Sequence, residues 1–265
     1  FEHQAKLSPS AIALRWQAGE MDYGTLNEQA NRLAHRLLEV GIKKDAIVAV
    51  VLPRQAETIM AFLAIAKAGG AFVPLDPNLP SARLQQLVAL SGAVVVLTGQ
   101  SYLLERIGLF EQVDLPSIII DNDQAPQHDP QLTSTNLTQT PQANDLAYLL
   151  FTSGSTGEPK GVLMEHAALA KRLAWLAHTF QYTADDIALQ SIQLSFDPAL
   201  LEIFLPLTQG GSVALPPPGP IAPKDIAHFA ELFGATSIIF VPTLLRYFNQ
   251  TAKHHPKLKL RIVIS

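Results

Sequence analysis

The chain has 265 residues, of which 48% are hydrophobic and 16% are charged, and this composition is typical of a folded protein with a substantial core. The formal net charge is −4 without a block of like charges, which argues against a basic nucleic-acid surface. Cysteine is absent, which excludes disulfides, thiolate metal sites and thiol nucleophiles.

The two ends of the sequence support further expectations. No basic segment followed by an apolar one opens the chain, and no apolar run approaches the roughly 18 residues of a membrane span. We therefore expect a soluble, cytoplasmic protein without a membrane or nucleic-acid partner. The final residues 260–265 read as a buried strand, so we expect the chain to be part of a larger domain.

The first half of the chain alternates helical and strand patterns. Apolar side chains recur on one helical face over residues 26–38, and Gly41 follows as a stop. The other elements predicted in this half are strands at 46–52, 71–75, 93–98 and 117–121 and helices at 55–68 and 81–90.

The second half resumes the same alternation after Lys160. Its predicted elements are helices at 165–180 and 224–233 and strands at 187–192, 212–215, 237–241 and 260–265. Continuous apolar strands alternating with helices predict parallel sheets covered on both faces. We therefore predict an α/β protein with two lobes of mostly parallel sheet flanked by helices, at 1–121 and 145–265, joined by the polar connector 122–144.

The stretch “FTSGSTGEPKGV” at 151–162 stands between a predicted strand and a predicted helix. Gly154 and Gly157 allow backbone N–H groups to form an anion nest, the flanking hydroxyls donate hydrogen bonds, and Lys160 supplies a charge. The lysine comes three residues after the second glycine and precedes Gly161, which does not match the NTPase pattern G-x-x-x-x-G-K-[ST]. A phosphate cradle of another kind is favoured over a flexible Ser/Gly surface loop.

Several blocks resemble the adenylate-forming enzymes. “LAYLLFTSGSTGEPKGV” at 146–162 resembles the signature loop of this superfamily, which comprises acyl-CoA synthetases, luciferases and the adenylation domains of non-ribosomal peptide synthetases. “IAKAGGAFVPLDP” at 65–77 and “FDPALLEIF” at 196–204 are similar to blocks of the peptide-synthetase branch, with Ala199 where serine is common. The resemblance covers essentially the whole chain and implies the large N-terminal domain of that fold, layered as αβαβα and incomplete in this sequence.

The resemblance implies binding of ATP and Mg²⁺. The implied phosphate-binding residues are Thr152, Ser153, Gly154, Ser155, Thr156, Gly157 and Lys160. Of these, Thr152 and Lys160 are expected to take part in catalysis through positioning and charge. The metal is expected to arrive with the phosphates, so no residue of this chain is assigned as a metal ligand.

The resemblance also implies an amino-acid site. Asp197 is expected to pair with the substrate’s α-ammonium group, and the residues expected around the substrate are Phe196, Pro198, Leu201 and Ile239. The apolar members favour an apolar or aromatic substrate side chain. Two local alternatives remain open, because Asp197 before Pro198 also fits a helix N-cap and Ile239 also fits ordinary core packing.

Other polar residues are interpreted structurally. His166 fits the start of a helix, and His254–His255 fits a solvated helix end rather than a metal site, since no carboxylate stands at a suitable spacing. Glu202 is interpreted as structural and 185–186 as a turn.

The implied function is ATP-dependent activation of an amino acid as an aminoacyl-adenylate, with release of pyrophosphate. The implied partners are a peptidyl carrier protein with its phosphopantetheine thiol, condensation domains, and the C-terminal remainder of the adenylation domain. Because the family’s later blocks are missing, we expect the chain to be inactive alone. Two alternatives remain, an acyl- or aryl-CoA ligase of the same superfamily and a non-catalytic α/β half that needs a partner chain.

Overall fold

The computed structural model describes residues 1–100, 115–122, 124–153 and 158–265. The helices in chain order are α1 (Glu2–Leu7), α2 (Tyr23–Glu39), α3 (Ala56–Lys67), α4 (Ser81–Ser91), α5 (His166–Thr179), α6 (Asp197–Gln209), α7 (Ile226–Phe233) and α8 (Pro242–Thr251). The strands are β1 (Ile12–Trp16), β2 (Gly19–Asp22), β3 (Ile47–Val51), β4 (Ala71–Leu75), β5 (Val95–Thr98), β6 (Ser117–Ile119), β7 (Leu146–Ser153), β8 (Pro159–Glu165), β9 (Ile187–Leu189), β10 (Ser212–Leu215), β11 (Ser237–Ile239) and β12 (Ile262–Ile264).

The chain divides into two compact units. Unit 1 comprises Phe1–Leu26, Arg54–Ala56 and Arg172–Ser265, and unit 2 comprises Asn27–Pro53 and Glu57–Lys171. These units differ from the predicted lobes 1–121 and 145–265, because the first residues of the chain belong with the last. The reason is a parallel pairing between β1 and β10, which sets Leu14 opposite Val213.

The polar segment 122–144 is packed within unit 2 rather than extended as a linker. Gln127 is 1% exposed, and its Nε2 donates to the carbonyl of Ile120 at 2.6 Å. The Nδ2 of the buried Asn31 on α2 donates to the carbonyl of Ser134 at 2.7 Å. Buried amides that satisfy backbone carbonyls therefore help to fix this segment in place.

The sheet of unit 2 has the strand order β6-β5-β3-β4-β7-β8 in the described residues, and its neighbours are parallel except for the antiparallel pair β7–β8. Strands β3 and β4 are buried throughout, as their apolar sequences “IVAVV” and “AFVPL” predict for a sheet covered on both faces. Helix α4 contributes Leu84, Leu87 and Val88 to the core on this sheet. The carboxyl end of β7 leads to the predicted phosphate loop.

The sheet of unit 1 has the order β12-β11-β9-β10-β1-β2, again parallel except at one edge, where β1 and β2 form a hairpin. Helix α7 packs Ile226, Ala227 and Ala230 into a core with strand residues, and Phe248 of α8 lies 4.8 Å from Phe240 between ring centroids. Helix α6 packs on β9, β10 and β11. The central strands of this sheet therefore position α6, which carries the predicted amino-acid site.

The predicted fold class is confirmed, since both units contain a mostly parallel sheet with helices. Three strands were missed. The hairpin strands β1 and β2 were not predicted, and β8 stands where the sequence predicted only the continuation of a loop before the helix at 165–180. Strand β8 is an exposed edge strand whose mixed sequence “PKGVLME” lacks the continuous apolar run of the central strands.

Candidate active site

The predicted phosphate-binding stretch is carried by the hairpin of β7 and β8. Thr152 lies directly opposite Lys160, and its Oγ1 donates to the Lys160 carbonyl at 3.3 Å. Residues directly opposite each other in an antiparallel pair project their side chains from the same face, so the pairing brings these two candidates together. Both residues are exposed.

The remaining phosphate-loop candidates are connected to this hairpin. Ser153 is the last residue of β7 and pairs with Pro159 at the start of β8. Gly154, Ser155, Thr156 and Gly157 lie outside the described residues. The described part of the loop therefore consists of two paired strands that hold its ends together.

Helix α6 begins at Asp197. Phe196 occupies the N-cap position, and no side-chain hydrogen bond caps the helix. The N-cap interpretation of Asp197 is therefore wrong, because Asp197 is already the first helical residue and its carboxylate does not bind the helix’s own N–H groups. A carboxylate in the first helical turn is stabilised by the positive end of the helix dipole.

The Asp197 carboxylate is accessible to a ligand. Its side chain is 54% exposed, and Arg172 Nη1 on α5 lies 3.7 Å from its Oδ2, with the arginine side chain 57% exposed. An ion pair so open to solvent contributes about 0–1 kcal/mol, so it does not block a stronger partner. Sequence reasoning missed Arg172, which lies within helix α5 and is marked by no local motif.

The predicted pocket residues lie on two elements that pack together. Leu201 is 5% exposed and lies one helical turn after Asp197 on the same face of α6. Ile239 is 7% exposed at the end of β11, against which α6 packs. Pro198 is half-buried, whereas Phe196 is 57% exposed. Unit 1 thus contains the candidate amino-acid residues, while unit 2 contains the candidate phosphate residues.

A buried polar cluster contacts residues 191–192, which follow β9. Glu202 on α6 is 2% exposed, and its Oε2 accepts hydrogen bonds from the backbone N–H groups of Ser191 at 2.8 Å and Ile192 at 3.1 Å. Its Oε1 accepts from the Ser191 hydroxyl at 3.0 Å. Burial raises the pKa of the Glu202 carboxyl to about 8, although these donors oppose the shift.

Gln190 and Arg54 extend this cluster. The Gln190 amide accepts from Arg54 Nε at 2.6 Å and donates to the Ile192 carbonyl at 2.5 Å. Arg54 Nη1 donates to the carbonyls of Pro217 at 3.0 Å and Gly219 at 3.1 Å. Burial lowers the pKa of the Arg54 guanidinium, and the nearby Glu202 opposes this shift without cancelling it. Sequence reasoning missed both residues, since 136 positions separate them and no motif joins them.

The weaker histidine candidates have structural roles. Helix α5 begins at His166, as predicted, and burial lowers the pKa of its imidazole. The interpretation of His254–His255 as a solvated helix end is wrong for His255, whose Nδ1 lies 2.9 Å from Glu231 Oε2 with both side chains mostly buried. The predicted turn at 185–186 is present, but Asp186 is buried within it.

Two absences apply to the described part of the chain. No group of three or more His, Cys, Asp or Glu side chains there is arranged to hold a metal ion. No helix there combines the length and the apolar character needed to cross a bilayer.

A sequence model described as “AMP-binding enzyme” matches residues 1–265. The chain belongs to the AMP-binding enzyme family. Among its relatives in this family, bacitracin synthase 3 of Bacillus licheniformis is 34% identical over 250 residues, which cover 94% of this chain and 4% of that protein. Gramicidin S synthase 2 of Brevibacillus brevis is 36% identical over 248 residues, which cover 92% of this chain and 5% of that protein.

Other relatives agree with this assignment to the AMP-binding family. Zwittermicin A synthase ZmaJ of Bacillus cereus is 34% identical over 94% of this chain, which spans 46% of that protein. The solved structure of the nonribosomal peptide synthetase FmoA3 superposes with a TM-score of 0.83 and 29% identity, covering 95% of this chain and 26% of that one. The predicted resemblance to peptide-synthetase adenylation domains is confirmed. The chain spans less than half the length of these relatives.

The fold is also shared with a more distant protein. ATP-bound MatB from Rhodopseudomonas palustris superposes with a TM-score of 0.80 at 23% identity, covering 98% of this chain and 53% of that one. At this identity the likeness concerns the fold alone.

Proposed function

We propose that this chain takes part in ATP-dependent activation of an amino acid, which forms an aminoacyl-adenylate and releases pyrophosphate. The observation that carries the proposal is the accessible Asp197 carboxylate at the start of α6, in a member of the AMP-binding family. The relative FmoA3 adds support, since its structures include an AMPPNP-bound form and an α-methyl-L-serine-AMP-bound form.

The proposed reaction is a displacement at the α-phosphorus of ATP. A carboxylate oxygen of the amino acid forms a bond to that phosphorus, the bond to the bridging oxygen breaks, and pyrophosphate leaves with the electron pair. Holding the groups in line and stabilising the developing charge are the tasks left to the protein. We assign these tasks to Thr152, Lys160 and the loop residues 153–157.

The paired geometry of the hairpin supports that assignment. A lysine opposite Thr152 places an ammonium group and a hydroxyl on one face of the strand pair. The ammonium group donates hydrogen bonds to the negatively charged oxygens of a triphosphate, and the hydroxyl does so when it exchanges the Lys160 carbonyl for a phosphate oxygen. Lys160 also accepts a hydrogen bond at its carbonyl from Thr152 Oγ1, which stabilises the neck of the loop.

The substrate is proposed to be a true amino acid rather than a simple carboxylic acid. An exposed carboxylate without an intrahelical partner suits an ion pair with an α-ammonium group. The weak pair with Arg172 is exchangeable for this stronger one. Pro198, Leu201 and Ile239 would contact the substrate side chain, and their apolar surfaces favour an apolar or aromatic one.

Mg²⁺ is expected with ATP in this family, but the described residues do not form a metal site of their own. The Glu202 carboxylate is buried and already accepts hydrogen bonds from Ser191 and Ile192, so it is not a ready ligand. No step above therefore depends on a metal bound by these residues.

The partners are proposed from the relatives’ names. The relative FmoA3 is a nonribosomal peptide synthetase, so the adenylate is proposed to load the phosphopantetheine thiol of a peptidyl carrier protein that works with condensation domains. In that step the thiol sulfur attacks the acyl carbon, and AMP leaves.

The central experiment is amino-acid-dependent exchange of pyrophosphate into ATP by the complete native protein. We expect exchange with an apolar or aromatic amino acid and none with fatty or aryl acids. D197N is expected to lower kcat/KM at least 100-fold, whereas D185N, which changes an exposed aspartate away from α6, leaves it unchanged.

Three outcomes would contradict the proposal. Formation of a CoA thioester from an acyl or aryl acid would favour a CoA ligase. Full activity of both D197N and K160A would favour a non-catalytic scaffold. Exchange that no amino acid stimulates would exclude amino-acid activation.

A further inference from the structure

Helix α6 has two acidic residues with different surroundings. Asp197 at its start is mostly exposed, and the guanidinium of Arg172 lies 3.7 Å from its Oδ2. Glu202 is five residues further along and fully enclosed, with three hydrogen bonds from Ser191 and Ile192. The exposed carboxylate therefore does little to fix its own position, whereas the buried one ties α6 to the segment that precedes it.

The hydrogen bonds of Glu202 determine the path of the chain after β9. The backbone N–H groups of Ser191 and Ile192 both point at one carboxylate oxygen, which ends the strand and turns the chain towards α6. This also explains why β9 stops at Leu189 although apolar residues predicted a strand to residue 192. Only the three residues 194–196 separate the turn 190–193 from Asp197, so the position of the turn determines where the helix starts.

Gln190 and Arg54 add further hydrogen bonds that hold this turn. The Gln190 side chain closes onto the Ile192 carbonyl, and Arg54 Nε holds the Gln190 amide oxygen. Arg54 is in turn anchored by the carbonyls of Pro217 and Gly219, in a proline-rich segment with few backbone conformations. Arg54, Gln190 and Glu202 are each at least 93% buried, given exposures of 7%, 0% and 2%.

We propose that Arg54, Gln190 and Glu202 form a positioning cluster that holds the turn 190–193, and through it the Asp197 carboxylate, in place for the amino-acid ammonium group. The inference rests on the proposed function. None of the three residues touches the substrate in this arrangement, and they act through Asp197. A carboxylate displaced by about 1 Å makes a much poorer ion pair, so loosening the turn weakens amino-acid binding specifically.

The chain offers matched variants for a test. In E202Q the amide oxygen takes the place of Oε2 and accepts the two backbone N–H groups, while the amide NH₂ donates to the Ser191 hydroxyl. In E202A the hydrogen bonds from Ser191, Ile192 and Gln190 are all lost. In Q190M the contacts with Arg54, Ile192 and Glu202 are lost at similar volume. D186N is the control, because Asp186 is equally buried at the opposite end of β9.

The first measurement is the kinetics of amino-acid-dependent pyrophosphate exchange by the complete native protein. E202A and Q190M are expected to raise KM for the amino acid about tenfold while KM for ATP changes less than twofold. E202Q restores the amino-acid KM of the wild type, and D186N leaves both constants unchanged. An equal rise of both KM values, or an amino-acid KM that stays at the wild-type value in E202A and Q190M, would overturn the proposal.

Amide hydrogen exchange tests the positioning role of the cluster and does not require a measurement of enzyme activity. In E202A and Q190M the amides of residues 191–192 and of residues 199–200 in the first turn of α6 are expected to exchange at least tenfold faster, and in D186N they are not. Faster exchange confined to 191–192 would overturn the positioning role. If the wild type shows no amino-acid-dependent exchange of pyrophosphate, the proposed function fails while this result still decides positioning. If E202A does not fold, Q190M decides both measurements.

Discussion

Strand β9 has a buried carboxylate at each end, and the two differ in how their charge is accommodated. Asp186, just before the strand, accepts hydrogen bonds from Thr183 N–H at 2.8 Å and Thr236 Oγ1 at 2.8 Å and pairs with Arg261. Burial alone would raise the pKa of its carboxyl, but the hydrogen bonds from Arg261, Thr183 and Thr236 outweigh burial and lower it.

At the other end, the compensation for Glu202 is weaker. Its donors are two backbone N–H groups, a hydroxyl and the Gln190 amide, and the nearby Arg54 guanidinium donates to Gln190 and to backbone carbonyls instead. Burial therefore dominates, and the pKa of the Glu202 carboxyl rises to about 8. The amino end of β9 holds a carboxylate whose charge is stabilised, while its carboxyl end, where parallel sheets place their ligand sites, holds a carboxyl group whose charged form is costly.

The largest expected effect comes from pH and belongs to the Glu202 end. The pKa of Glu202 is higher in the folded protein, about 8, than its ordinary value of 4.5, so the folded state binds more protons between these values. The free energy of unfolding therefore falls as pH rises from about 4.5 to about 8, by several kcal/mol at roughly 1.4 kcal/mol per pKa unit. Urea unfolding of the wild type and E202Q across this range measures the difference, and parallel curves would contradict the comparison.

The second effect belongs to the Asp186 end. D186A removes a buried carboxylate and leaves the donors of Thr183, Thr236 and Arg261 without their acceptor, so we expect the free energy of unfolding at pH 7 to fall by about 3 kcal/mol. Because the pKa of Asp186 is lowered in the folded state, this contribution is present above about pH 4 and disappears as the pH falls through the folded-state pKa. The wild type and D186A should therefore converge in acid, and a constant gap would show that charge is not involved.

A third change tests how tightly the amino end of β9 is packed. A Cβ at Gly211 would lie 2.5 Å from the backbone carbonyl oxygen of Asp186, which cannot move without disturbing the pairing of β9 with β10. We expect G211A to lower the free energy of unfolding by about 2 kcal/mol, as overpacking does. Thermal unfolding measures it. An unchanged midpoint of thermal unfolding in G211A would mean that the backbone at the amino end of β9 can shift at little cost.

The smallest effect is expected at the exposed end of α6. R172Q removes the open pair with Asp197, so we expect a change in unfolding free energy below about 1 kcal/mol. Because the arginine no longer competes for Asp197, KM for the amino acid is expected to fall about twofold. A rise of KM would instead indicate that Arg172 helps to position the carboxylate.

The central elements could be predicted from the sequence because their signals are local. Strands β4 and β10 match the predicted 71–75 and 212–215, since buried parallel strands are continuous apolar runs. Helix α2 was found from its apolar face and the glycine that follows it. The hairpins β1–β2 and β7–β8 were missed wholly or in part, because edge strands with mixed exposure carry a weak pattern.

The candidate site was predictable only where a motif marks it. The hydroxyl-rich loop and the aspartate before a proline are each contiguous in sequence, so Thr152, Lys160 and Asp197 could be proposed as site residues from the sequence. The cluster of Arg54, Gln190 and Glu202 is assembled by the fold from distant segments, and a lone arginine or glutamine has no distinctive spacing. The N-cap alternative for Asp197 differs from the structure by one position, because Phe196 is the N-cap of α6.

The pairing of β1 determines the order in which unit 1 can be completed. Its one neighbour, β2, follows directly, but its other neighbour, β10, comes roughly 200 residues later in the chain. At about 5–20 residues per second, a ribosome releases the β1–β2 hairpin tens of seconds at most, and about ten seconds at least, before β10 is made. Throughout that interval one edge of β1 has no strand to pair with. The part of unit 1 that is synthesised first is therefore among the last to reach its native pairing.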